Sequence, residues 1–488
     1  MRHPTLPSKD VPTLLMKQLL IATLFATTSL AGCTVGPNYR RPSAQVPTAY
    51  HGPTDDSKDQ AQGQDQARAL AASIADLPWW EVFQDPVLQD LIRTALKQNY
   101  DLQLATERIT YARAQLQVTR SNQFPQITAT GTGTDGRTYQ GFPSNSKFAT
   151  YAADATFQLD LFGQLRRQTE SARAQLLGTE YAQKTTVLTL VSDVASDYFN
   201  LLDLDLQLEI ARGTVKTQED AVALTQDRLD HGVATTLDVL QAKQVLDTAN
   251  AQIPELKRQI GLEEDAISIL LGDYPHSVRR GVVLVDQPFP TEVPAGLPST
   301  LLERRPDVLQ AEQNLIAANA QIGVAKAAFF PQISLTGNGG GGIGRSSVFS
   351  SIINSNIGTW GVGAQLTQPI FEAGRLRGNL RAAESQQRQS LISYKQAIQS
   401  AFKDVSDALI QYEQYHQVRT AQEITVKDLD DSVTTSLKRY RGGIATYLEV
   451  LDNQRSLFNS QLALAQDRGN EYQSLVQLYK ALGGGWQQ

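Results

Sequence analysis

Between Gln164 and His231, apolar side chains return every seven positions: Val187, Val194, Leu201, Leu208, Val215, Val222 and Leu229. Polar residues surround them, among them Asp193, Asp197, Asp203, Asp205, Glu209, Arg212 and Lys216. The stretch holds no proline, and its only internal glycines are Gly178 and Gly213. A strict seven-residue repeat keeps its seam on one side only if the helix supercoils left-handedly. At 1.5 Å per residue such a helix is ~100 Å long, several times the width of an ordinary domain. The pattern therefore predicts one stave of a long, thin-walled coiled assembly. A cytoskeletal or scaffold coiled coil fits the periodicity equally well.

A different period precedes it. Asp85-Pro86 is a helix start, with proline at a position where no donor is lost, and that helix is expected to run to about Arg120. Phe124-Pro125 ends it. Gln126-Ile127-Thr-Ala129-Thr-Gly131-Thr-Gly133-Thr then alternates with period two, and so does Tyr151-Ala-Ala153-Asp154-Ala155-Thr156-Phe157-Gln158-Leu159-Asp160. Each run is close to the ~9–11 residues that a tilted strand needs to cross a bilayer. One face is apolar or small and the other polar, which suits lipid outside and water inside; a soluble hairpin with one buried face has the same signature. After the long helix come a turn at His231-Gly232-Val233-Ala234-Thr235, a helix over 236–271 and a proline-rich segment over 272–299.

The pattern then recurs. Phe330-Pro331-Gln332-Ile333-Ser334 echoes Phe124-Pro125-Gln126-Ile127-Thr128. Gly374-Arg-Leu-Arg377 echoes Gly163-Gln-Leu-Arg166, and Gly443-Ile-Ala-Thr446 echoes Gly232-Val-Ala-Thr235, both at an offset of 211 positions. At the same offset the seam returns as Ile398, Val405, Tyr412, Val426, Val433 and Tyr440, with Arg419 its one break. One supersecondary unit is used twice. Four strands cannot close a membrane barrel, whose smallest members have about eight. An open edge in lipid leaves unpaired backbone groups at several kcal/mol each. If the strands enter a bilayer, the chain must oligomerise.

The first residues decide for a bilayer. Lys17 precedes the apolar run Leu19 to Ala26, and Leu30-Ala31-Gly32-Cys33 follows, a secretory signal and not a spanning helix. Met16-Lys17 would make a compact signal by itself, so the true start is Met1 or Met16. Cys33 is the only cysteine, so no intrachain disulfide exists. The box resembles the bacterial lipoprotein cleavage site, in which the cysteine is acylated and becomes the first mature residue. Thr34 in the next position favours the outer membrane by the same resemblance. No other stretch reaches the ~18 apolar residues of a transmembrane helix. The 488 residues carry a formal charge of -6, and their signs alternate along the chain, which excludes the basic stripe of a nucleic-acid partner.

Several motifs together resemble one family: Leu30-Ala-Gly-Cys33, Gly36-Pro37-x-Tyr39, Trp79-Trp80-x-x-Phe83-x-Asp85-Pro86-x-Leu88, Leu301-Leu302-Glu303-Arg304-Arg305-Pro306-Asp307-Val308 and Ala481-Leu482-Gly483-Gly484-Gly485-Trp486. They are similar to the lipoprotein branch of the TolC family, the outer-membrane channels of tripartite efflux systems. The resemblance covers essentially the whole mature chain. It implies a mixed α and β membrane protein: a homotrimer with a 12-stranded β-barrel, four strands per protomer, a long periplasmic α-helical barrel and an equatorial α/β belt. It implies a passive exit duct for drugs and small toxic solutes, with no enzymatic step and no cofactor. The implied partners are outer-membrane lipid at Cys33, a periplasmic adaptor and an inner-membrane pump of the resistance-nodulation-division type. The tips Gly232, Val233, Ala234, Thr235 and Gly443, Ile444, Ala445, Thr446 correspond to the periplasmic, adaptor-contacting end. Glu449 and Asp452 match the two acidic positions of the family's pore constriction, and Tyr440 matches a gate tyrosine. Repeat one has Asp238 and Gln241 in place of the two acids. Ala445 stands where some members carry a basic residue.

The resulting division is a signal over 1–32, an acylated extended segment over 33–80, and a first repeat over 81–271 with hairpin 126–160, long helix 164–231 and helix 236–271. A connector over 272–303 leads to a second repeat over 304–482, with hairpin 332–369, long helix 374–441 and helix 446–482, and a tail over 483–488. An enzyme is the first rival. Gly131-x-Gly133-x-x-Gly136 and Gly339-x-Gly341-x-x-Gly344 fit a dinucleotide pattern but fall inside the hairpins. The histidines His3, His51, His231, His276 and His416 are scattered, and no metal-ligand spacing appears. The second rival is the duct of a type I protein secretion system. The lipoprotein signal and the Leu-Leu-Glu-Arg-Arg-Pro-Asp motif favour small-molecule efflux.

Overall fold

A computed structural model describes residues 34–43, 47, 50–51, 74–140, 142–288, 300–346 and 357–484. Cys33, the signal 1–32 and the Gly485-Trp486 end of the tail lie outside the described residues. The elements in order are α1 (Trp79–Val82), α2 (Pro86–Gln98), α3 (Tyr100–Ser121), β1 (Gln126–Gln140), β2 (Phe142–Leu159), α4 (Gln164–Asp230), α5 (Thr236–Leu270), α6 (Leu301–Arg304), α7 (Pro306–Ala327), β3 (Gln332–Ser346), β4 (Ile357–Thr367), α8 (Arg375–Arg441) and α9 (Tyr447–Ala481). The two long helices α4 and α8 have 67 residues each, and α5 and α9 have 35 each. Among the described residues no helix is long and apolar enough to cross a membrane.

The chain divides into two compact units. The first holds residues up to Pro42, 110–178 and 312–393. Its centre is one antiparallel sheet in the order β1-β2-β3-β4. In an antiparallel ladder directly opposed residues point to the same side, so the register sorts the side chains. On one face lie Ile127 with Ala155, Ala129 with Ala153, Gly131 with Tyr151, Phe157 with Leu335, Leu159 with Ile333, Val362 with Gly337, Trp360 with Gly339 and Leu366 with Ile333. On the other lie Thr128 with Asp154, Thr132 with Thr150, Thr156 with Thr336, Gln158 with Ser334 and Gln365 with Ser334. The apolar face is uncovered: Trp360 is 83% exposed and Val362 82%. The outer strands β1 and β4 each have one paired side. The strands have 15, 18, 15 and 11 residues, so three outrun the length expected from the alternating runs, because the polar loop residues continue the ladder. Both Gly-x-Gly-x-x-Gly runs lie within strands and not at a strand-to-helix turn. Gly340 is glycine for a steric reason: a Cβ there would sit 2.3 Å from the Tyr151 carbonyl oxygen.

The lead-in Thr34–Pro42 packs on the same unit. The Val35 amide donates to Phe162 O at 3.1 Å, Arg167 donates to Asn38 Oδ1 at 2.7 Å, and Asn319 donates to Pro37 O at 2.9 Å. Tyr39 and Arg41 both donate to Glu312, at 3.0 and 2.7 Å to Oε1. A Cβ on Gly36 would lie 2.5 Å from Gly323 Cα, so the Gly36-Pro37-x-Tyr39 motif is a segment pressed against a helix. Thr34, next to Cys33, touches Gly163 at the start of α4.

The second unit holds 43–109, 179–311 and 394 to the C-terminus. The seam residues Val187, Val194, Leu201 and Leu208 are all buried. Beyond Leu208 the buried stripe passes to Ala211, Gln218 and Thr225, three positions out of step. The charged groups taken into this packing are paired. Asp85 is 1% exposed and accepts from Val87 N at 2.8 Å, Tyr198 Oη at 2.8 Å, Val282 N at 3.0 Å and Gln287 Nε2 at 2.7 Å. Burial alone would raise its pKa, but these donors outweigh burial and hold the carboxyl below its ordinary value. Arg305 binds Asp307 at 2.6 Å and Asp404 at 2.9 Å, and donates to Ala481 O at 3.2 Å. Buried Glu471 accepts from Arg419 at 2.5 Å and pairs with His416 at 2.7 Å. Arg419 also binds Glu423 at 3.0 Å. The break in the second seam is therefore the cation that neutralises an acid inside the packing.

The first helix differs from the single run expected from Asp85 to about Arg120. It divides at Asn99, whose side chain accepts from Leu102 N at 3.0 Å and donates to Leu270 O at 3.0 Å. Asn99 thus starts α3 and satisfies a carbonyl at the end of α5 at once.

Asp203 and Asp197 differ from Asp85. Burial, reinforced by Asp467, pushes Asp203 from 3.8 up to about 6, against donation from Gln207. Burial, Glu263 and Asp193 push Asp197 to about 6. A carboxyl whose folded pKa lies above its unfolded one costs stability once it ionises, so folding weakens as pH rises through about 4 to 6. Asp203→Asn is expected to raise the thermal midpoint near pH 8 and to leave it unchanged below about pH 4, measured by scanning calorimetry at both values.

Candidate functional site

Each long helix ends in the same turn. At the first tip Gly232 sits at φ +72°, its amide donates to Leu229 O at 2.9 Å, and the Val233 amide donates to Arg228 O at 2.9 Å. At the second tip Gly443 sits at φ +74°, its amide donates to Tyr440 O at 3.0 Å and the Ile444 amide to Arg439 O at 2.9 Å. This pair of bonds closes a helix around a left-handed residue, which glycine adopts without a Cβ penalty. The turn then presents Val233, 63% exposed, and Ile444, 76% exposed. Ala234 and Ala445 are half-buried and Thr235 and Thr446 exposed.

The two tips start their return helices differently. Thr235 caps α5: its amide donates to Asp238 Oδ2 at 2.8 Å, and Asp238 N donates to Thr235 Oγ1 at 3.3 Å. This reciprocal box occupies the acid of the first repeat. Thr446 makes no side-chain cap bond. Glu449, the counterpart of Asp238, reaches back across the turn to Arg439, with Nη1 to Oε1 at 2.8 Å. Asp452, one helical turn beyond Glu449, is exposed and has no ion pair among the described residues.

Tyr440 is 5% exposed. Its ring meets Tyr447 edge-on at 5.4 Å between centroids, and the Arg228 guanidinium lies 4.6 Å from its centre. Ala242, Val245, Val450 and Leu451 complete this buried cluster, so α4, α5, α8 and α9 all contribute to it. Burial raises the pKa of both tyrosines, Tyr447 to about 12. A guanidinium over an aromatic face is attractive and lets a cation rest against the cluster. The structure thus brings Tyr440 together with both tips and brings Glu449 to Arg439, while Asp452 stands apart in water. Arg228, Arg439 and Tyr447 were not singled out in the sequence. The offset of 211 pairs Arg228 with Arg439 and was the available signal. Among the described residues no group of three or more His, Cys, Asp or Glu could hold a metal ion.

Tyr440→Ala is expected to remove about 3–5 kcal/mol of local packing. Hydrogen exchange should then quicken at both tips, over 229–238 and 440–451, and stay unchanged in the sheet. Acceleration at the second tip alone would count against a shared cluster.

The model of the outer membrane efflux protein family matches residues 91–273 and 297–484. The cation efflux system protein CusC of Escherichia coli O6:H1 (strain CFT073) is 35% identical over 461 residues, 94% of this chain and 97% of that protein. The probable efflux pump outer membrane protein TtgC of Pseudomonas putida (strain KT2440) is 36% identical over 478 residues, 96% of each. The solved structure of the outer-membrane channel OprN superposes with a TM-score of 0.82 at 30% identity, covering 93% of this chain and all of that one. The chain belongs to the outer membrane efflux protein family and is an outer-membrane channel of an efflux system.

Proposed function

We propose that this member of the outer membrane efflux protein family works as a homotrimeric exit duct without chemistry of its own. Three copies of the four-stranded sheet would close a 12-stranded barrel in the outer membrane. The long helices would line a periplasmic α-helical barrel, belted by parts of 33–80, 272–303 and 483–488. The observation that carries this reading is the sheet itself: one face that is apolar over most of its length and open to solvent, one polar face and two unpaired edges. In lipid those edges must be paired, and three copies pair all of them.

The remaining assignments follow from the tips and the lead-in. Val233 and Ile444, each beside a left-handed glycine, make apolar knobs for the hairpin of a periplasmic adaptor, with Gly232, Ala234, Thr235, Gly443, Ala445 and Thr446 forming the turns. Glu449 and Asp452 share one face of α9 and would gather as a ring of carboxylates about the threefold axis, which favours cations. Tyr440 would hold the resting tips together through Arg228 and Tyr447. Cys33 would carry the acyl chains. Its neighbour Thr34 packs at Gly163, just past the end of β2, so an acyl group there starts beside the membrane strands. Solute would arrive from an inner-membrane pump of the resistance-nodulation-division type.

Replacing Glu449 and Asp452 together with Ala is expected to raise single-channel conductance and lower cation selectivity in planar bilayers. Unchanged conductance and selectivity would remove them from the constriction. In a deletion strain, drug sensitivity with normal exoprotein release supports solute efflux, whereas lost exoprotein with unchanged drug tolerance supports a protein secretion duct.

A further inference from the structure

We propose that Arg439 sets the charge of the constriction, an inference that rests on Glu449 and Asp452 lining it. Arg439 lies in the last turn of α8 and Glu449 in the first turn of α9. Their side chains meet at 2.8 Å across the Gly442–Thr446 turn. At the first tip the arginine and the acid are both engaged elsewhere. Arg228 rests on the Tyr440 ring, and Asp238 caps its own helix. Lys438 and Arg441 share the last turn of α8 with Arg439, but among the described residues Arg439 is the tip cation that meets a constriction carboxylate. Each copy then presents one compensated acid, Glu449, and one uncompensated acid, Asp452. A trimer carries three free carboxylates at the ring and not six.

The geometry separates this role from a structural one. Both partners are half-exposed, 50% for the Arg439 side chain and 39% for Glu449. A pair so open to water holds the turn only weakly, and the turn already has its glycine and its two backbone bonds. The field of the guanidinium still reaches the pore, because a charge acts over about 10 Å at 0.1 M salt. The first tip has no such compensation, since its arginine and its acid point to different partners. The selectivity of the duct would therefore be a balance written into one hairpin, and the residue at 439 would tune it without touching the solute-facing wall elsewhere.

The test is the reversal potential of the purified full-length trimer in planar bilayers under a potassium chloride gradient. Arg439→Gln is expected to raise the cation-to-anion permeability ratio roughly two- to fourfold at 0.1 M salt, with the change shrinking at 1 M. Arg439→Lys should keep the wild-type ratio, and Arg439→Gln with Glu449→Gln should restore it. An unchanged ratio in Arg439→Gln overturns the proposal, and so does a raised ratio that Glu449→Gln fails to reverse. Should the Glu449 and Asp452 double replacement alter selectivity while Arg439→Gln does not, the constriction reading stands and this one falls. Should neither alter it, both fall.

Discussion

Everything in this chain answers to one constraint: backbone groups at a sheet edge cannot be left unpaired in hydrocarbon. A four-stranded antiparallel sheet has two edges, and its width is too small to curl them together. Its two faces differ over most of their length. Ile127, Phe157, Trp360, Val362 and Leu366 share one side with alanines and glycines, and threonines, glutamines and Asp154 share the other. A water-soluble sandwich would cover such an apolar face with a second layer; here Trp360 and Val362 are bare. Lipid is the partner that tolerates this, and lipid is also what makes the open edges intolerable. Oligomerisation is the same requirement seen from the edge that the two-faced register states from the side.

The helical unit faces the opposite problem. A seam that repeats every seven residues is nearly as well satisfied after a slip of one heptad, since a valine or leucine returns to each place. Paired buried polar groups remove that freedom. Asp85 collects donors from its own helix start, from Tyr198 on the long helix and from Val282 and Gln287 in the connector. Gly281 allows the approach, because a Cβ there would overlap the carboxylate. Glu471 meets Arg419 and His416, and Arg305 meets Asp404 and the end of α9. Shift any helix by a heptad and a buried charge loses its partner, at a cost of several kcal/mol. The motifs around Asp85-Pro86 and Arg304-Arg305-Pro306-Asp307 are thus fasteners and not sites of chemistry.

The sequence made the regular parts legible because their periods are long and repeated. Seven-residue spacing over Val187 to Leu229 falls within one helix, and two-residue alternation over Gln126 to Thr134 and Tyr151 to Leu159 falls within paired strands. The offset of 211 exposed the duplication without any knowledge of the fold. What stayed hidden depends on single side chains reaching across the chain. Asn99 breaks a helix by capping it, a signal no window average carries. Arg419 looked like a flaw in the seam until Glu471 appeared opposite. At the tips the acids were legible as a pair one turn apart, but Arg439 was not, because its partner lies ten positions away around a turn whose closure sets the distance.

Duplication explains why the two tips can differ so much at no cost to the fold. The turn itself depends on Gly232 and Gly443 and on two backbone bonds, identical in both repeats. Everything beyond that is free to diverge. In the first tip the acid is an aspartate, short enough to cap its own helix through Thr235. In the second it is a glutamate, one methylene longer, and it leaves the cap for Arg439. Leu229 and Thr236 of the first repeat become Tyr440 and Tyr447 in the second, and these two rings build the cluster on which Arg228 of the first repeat lies. The first tip supplies a capped end and a cation, and the second supplies the aromatic seat and the charged face. A single unit repeated without change would not do both, because its two arginines would then meet identical partners. The structure of the tips is therefore a property of the pair of repeats, and their charge pairing differs where the repeats have drifted apart.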